Sequence, residues 1–549
     1  MSSLRLSALL AGAAATGPAT PALTGGPDGR VTHAELAALA GRVQSGLREL
    51  GVREGDRVML LTARTGARPV AAMHAILAAG AVYVPLDPAS PPARWAAVAR
   101  VCSPAAVVGD RELLDLFARA VPLPRRLALT PGPAPAGGPD PGRLEWDDLA
   151  PAELTPVAAD GRRIAYLLPT SGSTGVPKCV AHTGEGALAF LTWMNAELGL
   201  RPTDVFACHA PLHFDVAVAT LLGSALAGAA AAPVPRELSG FGAELAEWIA
   251  ERGITVWLSV PYPLARLSAL EPVRARERLA SLRTVVFAGD VFPHQRLAAL
   301  MARAPLARFI NFYGPTETNG CTFEVVTEPP TGPVPIGRAA GPAACWVEDG
   351  GKRVETVGAE GELVVAGPAV AAGYWGAPER DGSRFRFGAS YPGGRAYATG
   401  DRVRVLPGRR YAFLGRTDNM IKMRGQRFEL EEVESVLRRH PGVAECCVVK
   451  VDVRDDYSRL TAVVVATGTG MDVGTSTSTS AGTGTGTSTG TGTGTEEAAG
   501  AGALRDHCRA RLPSWAVPHR FVAVPALPLG STGKVDRRRV ERELRAGRA

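Results

Sequence analysis

Lysine is rare in this chain, and three of its lysines stand where one compact positive charge could do chemistry. Five of the 60 basic residues are lysines, and Lys178, Lys422 and Lys534 lie in glycine-rich or turn-like segments. Lysine is a point charge on a flexible stem, so it fits between crowded anionic oxygens where the planar fork of arginine does not. These three residues indicate phosphate chemistry, whereas Lys352 and Lys450 are typical of solvated surface.

The segment Thr170-Ser-Gly-Ser-Thr-Gly-Val-Pro-Lys178 follows a run of residues that is typical of a strand. Its hydroxyls, flexible glycine backbone and single ammonium favour an anion-binding concavity that suits a polyphosphate. It is not a Walker A loop, because that motif ends in Gly-Lys followed by Ser or Thr. Many Ser/Thr/Gly segments are only linkers, but the preceding strand and the terminal Pro177-Lys178 favour phosphate binding here.

The elements that position these segments follow an α/β pattern. In the first third of the chain, predicted strands at 57–62 and 82–85 flank a predicted helix at 69–79. This βαβ order predicts a mostly parallel sheet covered by helices. A second α/β region is predicted over about 164–326, and short alternating strands with frequent glycine over 361–414 predict a small β-rich subdomain.

Residues from about 468 to 500 interrupt the C-terminal region with almost pure Gly, Thr, Ser and Ala. Such a composition buries too little apolar surface to offset chain entropy, so the segment is predicted to be a disordered surface loop. A strand is predicted before it at 460–465 and a helix after it at 504–512. The segment is therefore expected to be an insertion within one small domain rather than a domain boundary.

Composition limits the other possibilities. A chain of 549 residues exceeds one hydrophobic core and predicts two to four domains. The net charge of +7 includes no basic block beyond Arg537-Arg-Arg539, so no nucleic-acid partner is expected. No apolar run approaches the ~20 residues of a membrane span, and the stripe from Leu4 to Leu10 predicts an amphipathic helix rather than a signal peptide. Eight scattered cysteines without a Cys-x-x-Cys pair indicate a reduced, cytoplasmic protein, and the lack of a long apolar run predicts no membrane association.

Ten segments of the chain occur in an order that points to a family. They are Val31-Thr-His-Ala-Glu-Leu36, Leu77-Ala-Ala-Gly-Ala-Val-Tyr-Val-Pro-Leu-Asp-Pro88, the loop from Thr170 to Lys178, Phe214-Asp215, Asn311-Phe-Tyr-Gly-Pro-Thr-Glu317, Gly361-Glu-Leu363, Tyr397-Ala-Thr-Gly-Asp401, Gly415-Arg-Thr-Asp418, Leu512-Pro513 and Gly533-Lys-Val-Asp-Arg537. In content and order they resemble the adenylate-forming superfamily, closest to the amino-acid adenylation domains of non-ribosomal peptide synthesis. The resemblance covers nearly the whole chain.

The resemblance implies an α/β fold in two parts. A large N-terminal domain of two α/β subdomains plus a small β-rich subdomain would be hinged to a small mobile α+β C-terminal domain. The predicted domains are residues 1–417, which bind the nucleotide, and residues 418–549, which would rotate about Asp418. Rotation between two half-reactions would withdraw Lys534 and bring the segment of Lys422 and Gly425, implicated in thiolation, to the active site.

The same resemblance implies that the chain uses ATP and Mg²⁺. Tyr313 would stack on adenine, Thr316 would touch the α-phosphate, and Glu317 would help to hold Mg²⁺. Asp401 would accept the ribose hydroxyls, with Arg416 near the same sugar. The other predicted ATP-binding residues are Thr170, Ser171, Gly172, Ser173, Thr174, Gly175 and Lys178, which would grip the pyrophosphate, together with Asn311 and Gly314.

Lys534 would bridge the substrate carboxylate, the α-phosphate and the ribose. Two unit charges at ~4 Å repel by about 4 kcal/mol at an effective dielectric near 20, so a carboxylate resists approaching a phosphate. A lysine and a divalent cation between the two anions reverse the sign of that energy. The resemblance implies that Thr316, Glu317 and Lys534 are the catalytic residues, and the electrostatic argument agrees with those roles.

Asp215 predicts the class of substrate. In the amino-acid branch that the chain resembles, the matching aspartate binds the substrate ammonium. A buried carboxylate without a partner costs several kcal/mol, so this site should favour an amine-bearing acid over its deaminated analogue. A helix-capping role for Asp215 is the alternative.

The other predicted pocket positions, taken from motif spacing, carry no charge. They are Val216, Ala219, Leu258, Val286, Ala288, Phe312, Gly320 and Cys321. This lining suits an uncharged side chain of small to medium size and is similar to proline-selective pockets, from which three positions depart. Phe312 should shrink the pocket, while Ala219 and Gly320 should enlarge it.

No phosphopantetheine attachment site follows Lys534 within this chain, so a freestanding enzyme is expected. It would make aminoacyl-AMP and then load the amino acid onto the phosphopantetheine thiol of a separate carrier protein. A carboxylate–CoA ligase of the same fold is the alternative, and the thiol acceptor discriminates the two. A catalytically silent protein that senses nucleotide is a third possibility. The presence of Lys178, Glu317, Asp401 and Lys534 argues against it.

Overall fold

The computed structural model describes residues 4–26, 28–122, 125–130, 142–158, 161–172, 176–377, 384–417, 420–423, 426–454, 457–467, 500–529 and 535–546. They form two units with large sheets, a β-rich unit and a C-terminal unit with its own sheet. Within these ranges, no helix is long and apolar enough to cross a membrane.

The first large sheet carries several of the predicted site segments. In spatial order its strands are Arg338–Ala339, Thr322–Val326, Arg308–Tyr313, Thr284–Ala288, Val256–Ser259, Val205–Cys208, Ala230–Pro233, Pro21–Gly26 and Gly29–Thr32. The central strands are parallel, and Val286 pairs with Leu258 on one side and with Ile310 on the other. The predicted second α/β region is therefore confirmed.

The second large sheet carries the phosphate loop. In spatial order its strands are Gly373–Tyr374, Lys178–Thr183, Ile164–Thr170, Val82–Pro85, Arg57–Leu61, Ala106–Gly109, Arg126–Ala128 and Arg143–Leu144. Arg57–Leu61 and Val82–Pro85 run parallel around helix Ala67–Ala78, which confirms the predicted βαβ unit. Thr170 pairs with Lys178 in an antiparallel ladder, so the loop leaves the sheet and returns to it at one point.

Some of the helices build a hydrophobic core that the two large sheets share, and others belong to separate cores. The helices of this part are Leu9–Thr16, His33–Glu49, Ala67–Ala78, Pro92–Cys102, Arg111–Ala120, Gly184–Leu198, Asp215–Ala227, Gly242–Arg252, Pro261–Leu267, Pro272–Arg278 and His294–Arg303. Leu60 of the second sheet and Leu258 of the first lie in the shared core. The predicted stripe from Leu4 to Leu10 needs a correction, because the helix begins at Leu9 after a short 3₁₀ turn and Leu4 is 55% exposed.

The predicted β-rich subdomain is confirmed and extends beyond the predicted range. Its strands are Lys352–Val354, Ala344–Asp349, Glu360–Ala366, Arg395–Leu406, Phe385–Phe387 and Arg410–Arg416. Asp401, near the middle of the long strand, pairs with Arg416 on the neighbouring strand. The ladder therefore sets these two predicted ribose residues side by side.

The C-terminal unit has a core of its own. Its strands are Met420–Met423, Gln426–Glu429, Val443–Arg454, Tyr457–Ala466 and Arg520–Ala523, and its helices are Leu430–Leu437, Ala501–Arg509 and Arg537–Arg545. Leu460 and Leu504, on either side of the predicted insertion, belong to the same core. The insertion itself lies outside the described residues from 468 to 499. The predicted fold class is confirmed, while the domain boundary at Asp418 stays a prediction.

Candidate active site

A cavity of about 250 Å³ opens where the central strands of the first sheet end. Ala288 and Tyr313 line it from the carboxyl ends of two parallel strands, and Thr170 lines it from the second sheet. Pro513 and Trp515 of the C-terminal unit complete one wall. In open α/β sheets, ligands bind at the carboxyl ends of the strands, so this cavity is the candidate active site.

The predicted adenine and ribose residues meet at one end of the site. Tyr313 Oη donates a hydrogen bond to Asp401 Oδ2, and Arg416 Nη1 donates to Asp401 Oδ1 at 2.6 Å. Arg416 also donates to the carbonyl of Thr399 at 3.2 Å. Burial, followed by the charge of Asp401, raises the pKa of Tyr313 well above its ordinary value, so the tyrosine remains a donor. Asp401 is thereby fixed, and a carboxylate has further lone pairs for ribose hydroxyls.

The loop that follows Tyr313 is tightly built. A Cβ atom at Gly314 would lie 1.6 Å from the carbonyl oxygen of Asn319, so a side chain does not fit there. Asn319 itself adopts a φ of 56°, which is uncommon for a residue other than glycine. Its side-chain amide donates to the carbonyl of Ala369 at 3.1 Å and lies 3.3 Å from His182 Nδ1. These contacts hold the backbone of the loop in this unusual conformation.

His182 holds the loop that contains Thr316 and Asn319. Its Nε2 lies 2.9 Å from the carbonyl oxygen of Thr316, and the Asn319 amide faces Nδ1, so Nε2 carries the proton. The ring stacks on Tyr166 with centroids 4.8 Å apart. Burial lowers the pKa of His182 to about 4. A neutral histidine therefore positions Thr316, the residue predicted to touch the α-phosphate.

Glu317, the predicted Mg²⁺ ligand, is buried to 3% exposure and has a tyrosine partner that motif reasoning missed. Tyr374 Oη donates to Glu317 Oε1 at 2.8 Å and lies 3.4 Å from Tyr397 Oη. Mg²⁺ commonly takes one or two protein carboxylates and completes its shell with substrate phosphates and water. One held carboxylate fits that requirement. No local sequence pattern marks Tyr374, whose strand Gly373–Tyr374 pairs with the strand after the phosphate loop.

Asp215 links the substrate end of the cavity to the nucleotide end. It is the first residue of helix Asp215–Ala227, and its Oδ1 accepts from the backbone N–H of Val216 at 2.8 Å. Its Oδ2 accepts from Thr316 Oγ1 at 3.0 Å. The carboxylate therefore serves the helix N-terminus and also lines the cavity, so the two alternatives are compatible.

The two sides of the phosphate loop lie close together, and its lysine has a carboxylate partner. A Cβ atom at Gly172 would lie 2.1 Å from the carbonyl oxygen of Val176. Lys178 Nζ donates to Glu429 Oε1 at 2.8 Å and lies 5.5 Å from the centre of the Tyr374 ring. Glu429 belongs to the C-terminal unit. The predicted phosphate cation thus pairs with an acidic residue of the small domain.

Most of the predicted pocket positions line the cavity. They are Val216, Ala219, Leu258, Ala288, Phe312 and Gly320. The prediction is corrected at Val286, which packs into the core beneath the cavity, and at Cys321, which packs into the core of the β-rich unit. Motif spacing gives the position of a residue along a strand but not its depth below the site.

Phe190 also lines the cavity and was not predicted. A Cβ atom at Gly320 would lie 3.0 Å from Phe190 Cε2, so the ring of Phe190 fills space that the glycine leaves. Trp193 packs against Phe312 and Phe190, with ring centroids 5.4 Å and 6.2 Å apart. Phe190 therefore offsets the enlargement of the pocket that was expected from Gly320. The sequence does not mark Phe190, because its spacing along the helix is that of any core residue.

Several predicted residues fall where the structure gives no description. Lys534, Asp418 and Gly425 lie outside the described ranges, as do Ser173, Thr174 and Gly175. Lys422 lies in strand Met420–Met423, but its side chain is not described. The roles assigned to these residues stay predictions.

Comparison with models of protein families matches residues 10–375 to the AMP-binding enzymes and residues 432–481 to the C-terminal domain of AMP-binding enzymes. The chain belongs to the AMP-binding enzyme family. This AMP-binding enzyme is 35% identical over 500 residues to an L-proline–[L-prolyl-carrier protein] ligase of Pseudomonas fluorescens, with 90% of each chain covered. A ligase of the same name from Streptomyces coelicolor is 35% identical over 543 residues, covering 95% of this chain and 93% of the relative.

The solved structure of holo-PA1221, an NRPS protein containing adenylation and PCP domains bound to a vinylsulfonamide inhibitor, is similar to this AMP-binding enzyme. The TM-score is 0.77 at 26% sequence identity, over 98% of this chain and 84% of the other. The predicted resemblance, the fold class and the class of enzyme, an ATP-using ligase, are thereby confirmed.

Proposed function

We propose that this AMP-binding enzyme activates L-proline as prolyl-AMP and transfers the prolyl group to the phosphopantetheine thiol of a separate carrier protein. The general activity, which is activation of an amino acid and its transfer to a carrier protein, is confirmed by the relationship to carrier-protein ligases. The choice of substrate is carried by one observation, the cavity in which the Asp215 carboxylate stands against the apolar residues Phe190, Ala219 and Phe312.

The chemistry of proline suits this cavity. Its secondary ammonium has two N–H donors, and a charge-assisted hydrogen bond to a carboxylate is about twice as strong as a neutral one. Its three ring methylenes need an apolar wall, where each buried CH₂ contributes about 0.8 kcal/mol. The aromatic rings of Phe190 and Phe312 supply that wall and restrict its size. The names of the two ligases at 35% identity support the same amino acid.

In the proposed first step, a proline carboxylate oxygen bonds to the α-phosphorus of ATP while the bond to the β-phosphate oxygen breaks and pyrophosphate leaves. Glu317 would hold Mg²⁺, which would neutralise charge on the phosphates. Thr316, whose hydroxyl donates a hydrogen bond to Asp215, would contact the α-phosphate. Lys178 would grip the departing pyrophosphate and Lys534 would neutralise the attacking carboxylate, an electrostatic form of catalysis.

In the proposed second step, the sulfur of the carrier thiol bonds to the acyl carbon of prolyl-AMP and the thiol proton passes to water. AMP leaves with the electron pair of the broken C–O bond.

We place the reaction in the cytoplasm. In support, all eight cysteines are free, and Cys102 Sγ and Cys179 Sγ lie 3.3 Å apart without a bond. Unpaired cysteines are typical of a reducing compartment.

The test is ATP–pyrophosphate exchange with a panel of acids. L-Proline should support the highest exchange, L-alanine and glycine less, and tetrahydrofuran-2-carboxylate, which replaces the ring N–H with oxygen, should support almost none. If another uncharged amino acid exceeded proline, the choice of substrate would be overturned. Exchange driven equally well by the oxygen analogue would overturn the role of Asp215.

A second assay identifies the thiol acceptor. Radiolabelled proline, ATP and either a phosphopantetheinylated carrier protein or free coenzyme A are incubated with the enzyme, and the thioester product is counted. Label on the carrier and none on coenzyme A is the expected result. The reverse result would favour the carboxylate–CoA ligase alternative.

A further inference from the structure

A second cavity, the outer cavity, lies next to the aromatic wall of the substrate pocket. Its volume is about 810 Å³, and it is bordered by residues 4–7, helix Gly184–Leu198 and Gly341. Trp193 of that helix lines the outer cavity, whereas Phe190, three residues earlier, lines the candidate active site. At this point aromatic side chains of one helix therefore separate the two cavities.

The ring of Trp193 is held in one place by its neighbours. Its centroid lies 5.4 Å from that of Phe312 and 6.2 Å from that of Phe190, the two aromatic rings of the substrate pocket. Phe323 packs edge-on against it at 5.4 Å. A Cβ atom at Gly341 would lie 2.0 Å from Trp193 Cδ1, so the indole ring occupies space that only a glycine leaves open. Trp193 is therefore a fixed support behind Phe190 and Phe312.

Phe190 and Phe312 also border the same space beside Gly320. The atoms nearest to a Cβ atom at Gly320 would be Cε2 and Cζ of Phe190, at 3.0 Å and 3.4 Å, and Cδ2 of Phe312, at 3.6 Å. Because Gly320 has no side chain to hold the two rings, their positions depend on what packs behind them. Close packing in protein interiors means that loss of the indole would give both rings room to tilt away from the substrate.

We propose that Trp193 sets the size limit of the substrate pocket by holding Phe190 and Phe312 against the ring of the cyclic amino acid. The inference rests on the proposed function, in which that ring belongs to L-proline. Trp193 is not among the described residues that line the active-site cavity, so it acts through the two phenylalanine rings as a positioning residue. The substrates that it excludes are cyclic amino acids with a larger ring, of which L-pipecolate, with one more methylene group, is the simplest.

The first test compares ATP–pyrophosphate exchange with L-proline and with L-pipecolate. A pocket discriminates one methylene group by roughly 10- to 200-fold, and the wild-type enzyme should prefer L-proline in kcat/KM within that range. Trp193→Ala should lower this preference about ten-fold, because the phenylalanine rings can move into the vacated space, and it should leave the KM for ATP unchanged. Trp193→Phe keeps an aromatic support and should keep most of the preference. An unchanged preference in Trp193→Ala would overturn the proposal.

Trp346→Ala is the matched control, because it removes an indole ring from the β-rich unit. There Trp346 stacks on Tyr391 with ring centroids 6.3 Å apart. A general loss of folded protein lowers kcat equally for both amino acids, so Trp346→Ala should leave their ratio at the wild-type value. If Trp346→Ala lowered the preference as much as Trp193→Ala does, a loosened fold would explain the effect and the proposal would fail.

A binding measurement without turnover separates recognition from catalysis. Stable sulfamoyl-adenosine analogues of prolyl-AMP and pipecolyl-AMP are titrated into each protein by calorimetry, and the ratio of their Kd values should be about ten-fold smaller in Trp193→Ala than in the wild-type protein. An apolar cavity can hold a small aromatic molecule, so added indole should enter the space vacated in Trp193→Ala and restore most of the ratio. Equal ratios in the two proteins, or failure of indole to restore the ratio, would contradict the role of the indole ring as a support.

The wild-type enzyme distinguishes failure of this inference from failure of the proposed function. If the wild-type enzyme gave no exchange with L-proline, the proposed function would fail. If it gave normal exchange with L-proline and Trp193→Ala kept the wild-type preference over L-pipecolate, only the role of Trp193 would be wrong.

Discussion

Thr316 Oγ1 donates a hydrogen bond of 3.0 Å to Asp215 Oδ2, and this bond joins the nucleotide loop to the residue predicted to bind the substrate ammonium. Asp215 begins a helix that packs into the shared core, while Thr316 lies in the loop held by His182 and Asn319. The two ends of the reaction are therefore aligned by a direct contact. A substitution at either residue should therefore affect both the nucleotide end and the substrate end of the site.

Replacement of Asp215 by Asn should abolish the preference for amines while it preserves the contact with Thr316. The amide oxygen still accepts from the threonine hydroxyl, but the substrate ammonium loses its charged partner, which costs about 3–5 kcal/mol when the pair is buried. Exchange with L-proline should fall in kcat/KM by roughly 10² to 10³ or more. Thr316→Val is the control: it should reduce turnover yet keep the ratio of rates with proline and tetrahydrofuran-2-carboxylate. If Asp215→Asn kept the wild-type ratio of exchange rates with proline and tetrahydrofuran-2-carboxylate, another residue would have to recognise the substrate amine.

Addition of one methyl group at Gly320 should narrow the substrate pocket. The new Cβ would lie 3.0 Å from Phe190 Cε2, so the ring must move toward the cavity, and overpacking of this kind costs about 1–3 kcal/mol. Gly320→Ala should lower kcat/KM for L-proline about ten-fold and for glycine much less. The double variant Gly320→Ala with Phe190→Leu should regain most of the loss. Equal losses for proline and glycine would indicate a defect of the nucleotide loop instead.

The sequence predicts the parts of the site that are local patterns. Buried strands and the helix between them follow from hydrophobic periodicity, and Asn311 to Glu317 or Tyr397 to Asp401 are contiguous segments whose residues stay together in the fold. Tertiary contacts leave no such pattern. Phe190 is spaced like any core residue of its helix, although the missing side chain of Gly320 turns it into a wall of the pocket.

The local sequence pattern also does not specify how deep a residue lies below the cavity or which distant residue it contacts. Val286 and Ala288 lie on the same strand, two residues apart, yet Val286 lies in the buried core and Ala288 lines the cavity. Tyr374 reaches Glu317 only because its short strand pairs with the strand after the phosphate loop. The pairing of Lys178 with Glu429 depends on where the small domain sits, which spacing along the chain does not specify.

His182 should make the stability of the fold sensitive to mild acid. Its pKa is about 4 when folded and near 6.5 when unfolded, because burial disfavours the charged ring. Below pH 6.5 the unfolded chain binds a proton that the folded chain takes up only near pH 4, so stability falls as the pH falls across that range. The loss from this residue is about 3 kcal/mol. Urea denaturation at pH 7, 5.5 and 4 should show a shallower decline in His182→Gln, which keeps a donor for the Thr316 carbonyl. Parallel declines in the two proteins would contradict this assignment.

Residues 468–499 should be dispensable. Leu460 and Leu504 on either side already share the core of the small domain, so the segment need only span their elements. Each doubling of the length of a flexible loop changes its closure entropy by about 0.6 kcal/mol, so replacement by a short Gly-Ser linker should preserve both exchange activity and Tm. A large loss of either would mean that the segment makes a contact that its composition does not reveal.

Lys534 and Lys422 should separate the two half-reactions. Lys534 has to neutralise charge while the adenylate forms, so Lys534→Ala should cripple pyrophosphate exchange and leave transfer from supplied prolyl-AMP largely intact. Lys422 lies in strand Met420–Met423, which pairs with the strand that ends at Glu429, the residue that touches the phosphate loop. Lys422→Ala, and substitution of Gly425 in the same predicted segment, should therefore spare exchange and slow transfer to the carrier. Pyrophosphate exchange and single-turnover transfer should be measured on the same preparations. Equal loss of both steps in both lysine variants would contradict the separation and show that one fixed arrangement of the domains serves the whole reaction.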